Sequence, residues 1–152
     1  MDNNDGLEII MERVRERLGD KIGQFRLPPP VFISMQAEVV AFNPEEASLI
    51  VRFPVLERYL NPYHTMQGGM IAAAIDNTLG PLSMLVAPPN VTRHLEVTYS
   101  KPITLELGYF LVTARLTGQE KRMLNFAAEV TSEDGKKLAK AKAVHWIVQE
   151  NK

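Results

Sequence analysis

The stretch from Gly68 to Ala87 constrains this chain more than any other. It is mostly apolar, opens on Gly68-Gly69, and carries Asp76, Asn77 and Pro81 inside it. Its length would suit a bilayer, but a carboxylate, an amide and a proline in its interior argue against a membrane span. The reading is a long buried helix from Gly68 to about Val86, kinked or shortened at Gly80-Pro81. A helix apolar nearly all round must be wrapped by other structure rather than merely covered.

The flanking sequence supplies the wrapping. Leu7, Ile10, Met11, Val14 and Leu18 follow helical spacing with charges between them, and Gly19 is a stop. This amphipathic helix is expected to cap the core. A linker closes on Pro28-Pro29-Pro30, where neither helix nor central strand is expected to run. From Val31 the period becomes two. Met35, Ala37, Val39 and Ala41 share a face, a turn follows at Asn43-Pro44-Glu45-Glu46, and Ala47, Leu49, Val51 and Phe53 form a second strand. Residues 57–67 are irregular.

Four strands follow the long helix, carrying Leu95/Val97/Tyr99, Phe110/Val112/Ala114/Leu116, Leu124/Phe126/Ala128/Val130 and Ala139/Ala141/Ala143. The last two join at the hairpin turn Glu133-Asp134-Gly135-Lys136, and the alanine face invites close approach of the long helix. Strand runs with a segregated helix predict an α+β fold, a strongly curved antiparallel sheet around one central helix. The 152 residues suit one core, divided into an N-terminal helix and linker (1–30) and the sheet-and-helix domain (31–152).

Composition removes several functions. A net charge of −1 argues against a nucleic-acid binder. The lack of cysteine excludes disulfides, thiolate zinc sites and a cysteine nucleophile. His94 and His145 sit on strands without ligand-like spacing, so neither a metal nor a cofactor is expected. The start, MDNNDGLEII, is acidic and lacks the order of a signal peptide, which gives a cytoplasmic expectation.

The chemistry lies in Asn61-Pro62-Tyr63-His64-Thr65-Met66-Gln67-Gly68-Gly69 and the helix that follows. Two glycines at a helix start leave first-turn N–H groups unobstructed, at the positive end of the helix dipole. That suits an anion or an oxyanion; it also suits a tight turn and close packing. Asp76 interrupts the apolar run, where a carboxylate needs a purpose or a partner, such as the hydroxyl of Thr78. Asp76 follows Gly68 by eight residues, about 12 Å along the axis at the helical rise. The two cannot act on one carbonyl carbon within one helix. Two copies of the helix meeting antiparallel across a dimer axis would set Asp76 of one against Gly68 of the other.

The spacing of Asn61, Gly68, Gly69 and Asp76, with the downstream strand Thr92 to Tyr99 and Pro102, resembles the hot-dog-fold acyl-CoA thioesterases, in their phenylacetic-acid-pathway and THEM-like branch. The resemblance covers about residues 31 to 149. It implies hydrolysis of acyl-CoA to free acid and CoA, with Asp76 as nucleophile or general base and the Gly68 N–H polarising the thioester carbonyl. Asn61 would help to hold the carboxylate or the attacking water, and Thr92 would support hydrolysis. Gly69, His64, Arg93 and Lys101 are candidate substrate-binding residues, the two cations toward CoA phosphates. Gln67 stands where the family has histidine; its amide donates a hydrogen bond but carries no charge. That departure leaves a non-catalytic acyl-CoA or fatty-acyl binding protein as the alternative. The implied partners are acyl-CoA and a second copy of the chain, as a homodimer that can pair into a tetramer, with no membrane or nucleic acid. Met66, Met70, Leu82 and Met84 suit an aryl or a medium alkyl acyl group.

Overall fold

The computed structural model describes residues 5–148; residues 1–4 and 149–152, the outer ends of the two segments above, lie outside it. Helix α1 (Asp5–Leu18) buries Ile10, Met11 and Val14, as their spacing requires. It stops at Gly19, whose φ of +53° is left-handed and favours glycine. A 3-10 segment follows at Gly19–Gln24. The proline run does not exclude helix: α2 (Pro30–Ser34) begins on Pro30, because a first-turn residue needs no N–H. The alternation expected from Val31 therefore starts late, with β1 at Glu38–Asn43. Buried Phe32 and Met35 are three apart, a helical spacing that alternation had masked.

The remaining strands are β2 (Ser48–Pro54), β3 (Asn90–Tyr99), β4 (Tyr109–Glu120), β5 (Met123–Thr131) and β6 (Lys137–Ile147). They form one antiparallel sheet in the order β1-β2-β4-β5-β6-β3. Register aligns the inward residues in rows across it. One row runs Val39, Val51, Val112, Val130, Ala139, Tyr99; another runs Leu49, Ala114, Ala128, Ala141, Val97.

Helix α3 (Gly68–Val86) lies over these rows, chiefly against β4 and β2. It continues unbroken past Gly80-Pro81, with Leu82 and Leu85 buried beyond the proline, so it is not shortened as the sequence suggested. It is long and apolar enough to cross a membrane by composition, but Ile71, Ala74, Ile75, Thr78, Leu79 and Leu82 bury one face in the core. The opposite stripe is open: Gly69 and Asp76 are exposed, Ala73 and Gly80 half-buried. Complete wrapping, the expectation from its all-round apolarity, is thus not met within one chain, because a single sheet offers one face. The arrangement is the hot-dog fold.

Helix α1 shares this core through Ile10 and Val14 and packs along β1. The approach is close: a Cβ on Gly6 would stand 2.7 Å from the Val39 carbonyl oxygen. Gly6→Ala should therefore push α1 off β1 and cost about 1–3 kcal/mol, the usual range for overpacking, read as a lower urea midpoint. The other sheet edge, β3, has no strand on its outer side among the described residues.

Candidate active site

Asp76 projects from the open stripe of α3 and is held by β3. The Thr92 hydroxyl lies 3.0 Å from Asp76 Oδ1; Thr78, the partner first considered, instead donates to the Ala74 carbonyl at 3.0 Å. Asp76 is exposed in the single chain, so the cost of burial that singled it out in the sequence is not incurred there.

Thr92 leads to a residue that sequence reasoning passed over. His145 Nε2 is 3.2 Å from Thr92 Oγ1, and His145 Nδ1 is 2.8 Å from Asn90 Oδ1. His145 is 1% exposed, and its ring lies 4.8 Å from that of Phe126. The signal was present: the inward alternation Ala139, Ala141, Ala143 reaches His145 at the next step, and register puts His145 opposite Thr92. An ionisable ring at a core position was the overlooked feature.

The protons on this chain of groups follow from its ends. Asn90 Nδ2 donates to the Pro88 carbonyl at 2.9 Å, which turns Oδ1 toward the imidazole. His145 Nδ1 therefore carries the proton, and Nε2 of the neutral ring is an acceptor. The single Thr92 proton then has two acceptors, Asp76 Oδ1 and His145 Nε2. Turned toward Nε2, it leaves the Asp76 carboxylate free to take a proton from elsewhere.

Burial pushes the His145 imidazole below the ordinary histidine range, and the charge of Asp76 pulls the other way. The unfolded chain, with an ordinary histidine pKa of about 6.5, then binds the proton more readily than the folded one. Stability should be fully present above that value and be lost as pH falls from it through the lower folded-state pKa. Replacing His145 by Gln should flatten the fall in urea midpoint between about pH 7 and pH 5.

At the other end of α3, Gly68 and Gly69 open the helix and no side chain caps it. The Tyr99 hydroxyl donates to the Gly68 carbonyl at 2.6 Å, and a Cβ on Gly68 would lie 3.3 Å from the Tyr99 ring. Gln67 is exposed at the N-cap; its main-chain N–H donates to the Tyr59 carbonyl at 2.8 Å and its side chain makes no cap bond. Asn61 is engaged locally: Nδ2 donates to Thr65 Oγ1 at 2.9 Å, and Oδ1 accepts from the Tyr63 and Thr65 N–H groups. It shapes the loop that carries exposed His64, with its φ of +62°.

Within one chain, then, Thr92 joins Asp76, while Asn61, Gln67, Gly68 and Gly69 gather at the far end of the helix. Arg93 stacks its guanidinium over the Trp146 ring at 5.4 Å, and Lys101 is exposed. Among the methionines and leucine considered for acyl contact, Met66 and Leu82 are core residues, whereas Met84 lines a cavity beside Asp76. No group of acidic or histidine side chains suited to a metal occurs among the described residues.

The comparisons with known proteins agree with this architecture. Among solved structures, a phenylacetic acid degradation-related protein from Ralstonia eutropha JMP134 is 25% identical with a TM-score of 0.74, over 89% of this chain and 98% of that one. The PaaI protein of the Escherichia coli phenylacetic acid degradation operon is 12% identical with a TM-score of 0.76, over 93% and 98%. A Streptococcus mutans UA159 protein bound to acetyl CoA is 22% identical with a TM-score of 0.70, over 85% and 97%. No curated protein matches the sequence. The model of the thioesterase superfamily matches residues 63–139, which span the loop before α3, the helix itself and the strands up to the start of β6, and the chain belongs to that superfamily.

Proposed function

We propose that the protein hydrolyses acyl-CoA thioesters to the free acid and CoA, at sites shared between two copies of the chain. The observation that carries this reading is the Asp76 carboxylate, held by the Thr92 hydroxyl at 3.0 Å on the open stripe of α3, beside β3, which among the described residues is the last strand of the sheet. The coenzyme is taken from the acetyl CoA bound to the Streptococcus mutans neighbour.

The positions of Thr92 and Tyr99 on β3 support the sharing. Thr92 holds Asp76, and Tyr99, seven residues on, holds Gly68. An antiparallel pairing of β3 with its copy about the middle of the strand brings the Thr92 end of one chain alongside the Tyr99 end of the other. Asp76 then approaches Gly68 of the partner subunit. The same pairing covers the outer side of β3, ten residues long and without a neighbouring strand there among the described residues, an edge that natural proteins seldom leave exposed.

In such a site the Gly68 N–H receives the charge that develops on the thioester oxygen. With Asp76 as general base, water gives its proton to the carboxylate while its oxygen bonds to the carbonyl carbon. The C–S bond then breaks, and the sulfur leaves with a proton as CoA thiol. With Asp76 as nucleophile, its oxygen displaces the thiolate, and water hydrolyses the resulting anhydride. Arg93 and Lys101 are assigned to the CoA phosphates.

Gln67 favours the second reading, a binding protein without turnover. Release of thiol from a panel of acyl-CoA esters, followed with a thiol-reactive dye, separates the two. Steady release supports the hydrolase; binding without release supports the alternative. In the hydrolase, Gln67→Ala should lower turnover moderately and Gln67→His should be tolerated, since an orienting hydrogen bond contributes less than a base. Sedimentation should find a dimer or tetramer, and an active monomer would remove the shared site.

A further inference from the structure

The cavity beside Asp76 has a wall that belongs to no part of the matched region. It measures about 200 Å³ and lies between α3 and α1. Asp76, Thr92 and His145 line one part of it; Ile10, Met11 and Val14 of α1 line another. Ile10, Met11 and Val14 are buried, whereas Asp76 and Thr92 are exposed, so the cavity reaches solvent beside the carboxylate while α1 covers another part of it.

We propose that this cavity receives the acyl group, and that α1 sets its upper size: a compact apolar acyl group, one aromatic ring or a short alkyl chain, rather than a long fatty chain. The inference rests on the thioesterase reading for the direction in which the substrate enters. Apart from Asn77, Ser83 and Asn90, the lining away from the Asp76–Thr92–His145 end is apolar, which favours a hydrocarbon. An apolar cavity of about 150 Å³ accommodates one benzene ring, and pockets for drug-sized ligands begin at about 300 Å³. The present volume falls between them.

Met84 marks the back of this site. It lines both this cavity and a second, wider cleft bounded by Leu18, Phe25 and Val148. A methionine is flexible enough to yield, but in its present position it divides the two spaces. Gly80 also lines the cavity, and a Cβ placed on it meets nothing within 4 Å. A side chain there starts into open space at its Cβ, would take up part of the cavity, and would replace a helix-weakening glycine.

The test measures kcat/KM for acetyl-, hexanoyl-, phenylacetyl- and palmitoyl-CoA, together with calorimetric binding of the matching S-alkyl CoA thioethers, which cannot be hydrolysed. The wild-type protein should prefer hexanoyl and phenylacetyl over palmitoyl at least tenfold. Gly80→Leu should cut the hexanoyl-over-acetyl preference at least tenfold, mainly through KM. Met84→Ala should raise palmitoyl relative to hexanoyl at least tenfold by joining the two spaces. The inference is overturned if Gly80→Leu changes all acyl lengths by the same factor, or if neither variant alters the length profile. Thioethers that follow this pattern without any thiol release would uphold the pocket and remove the hydrolase. Thiol release with an unchanged length profile would do the reverse.

Discussion

Asp76→Asn is expected to fold, to associate as the wild type does, and to lose at least about two decades of turnover, since a general base contributes roughly 10²–10⁴-fold. The amide keeps the shape of the carboxylate, and its oxygen can still accept from the Thr92 hydroxyl, now 3.0 Å away. What disappears is the basic, nucleophilic oxygen. The glycine donor at the far end of α3 and the CoA contacts are untouched, so KM should move little and kcat should carry the loss. Thiol-release kinetics check this directly. Wild-type rates from a folded Asp76→Asn protein would remove Asp76 from the chemistry and put the binding reading first.

Gly68→Pro removes the other half of the site. Proline suits the first position of a helix, so α3 should still form, with the Tyr99 ring yielding a few tenths of an ångström to the added atoms at 3.3 Å. The lost N–H should cost about 10²–10³ in kcat, the range for one oxyanion donor. The two defects should then complement each other. A dimer of one Asp76→Asn chain and one Gly68→Pro chain has one site with an intact glycine and an intact aspartate, and one site with neither. Random exchange of equal amounts should recover about a quarter of wild-type activity. Recovery well above the sum of the two variants supports sites that span the dimer; no recovery from exchanging, folded chains would confine each site to one chain.

The legible parts of this protein were those in which local pattern and burial coincide. The alternations at Leu49/Val51/Phe53 and Phe110/Val112/Ala114 became buried strand faces, and of the residues spaced along α1, Ile10, Met11 and Val14 are buried and Leu7 and Leu18 half-buried. The glycine pair, Asp76 and the Thr92 strand carried the family resemblance. The start of β1 was not legible, because Val31 to Met35 satisfies alternation and helical spacing alike, and the proline at a first turn decides for helix only when Phe32 and Met35 have a core to enter. Asn61 was legible as a position but not in its contacts, since the 61–65 loop turns both of its polar atoms inward on itself.

By itself the sequence determined the fold class, the identity of the long helix and the carboxylate on it, because periodicity and a charge in an apolar run are local properties. Tertiary structure alone decided that Asp76 is held by Thr92 rather than by Thr78, and that His145 and Asn90 stand behind that hydroxyl. It alone decided that Ile10, Met11 and Val14 of α1 line one cavity with Asp76 and Thr92. These depend on strand order and register: β3 lies beside β6 although β4 and β5 intervene in the chain, and no local pattern records which distant strands become neighbours.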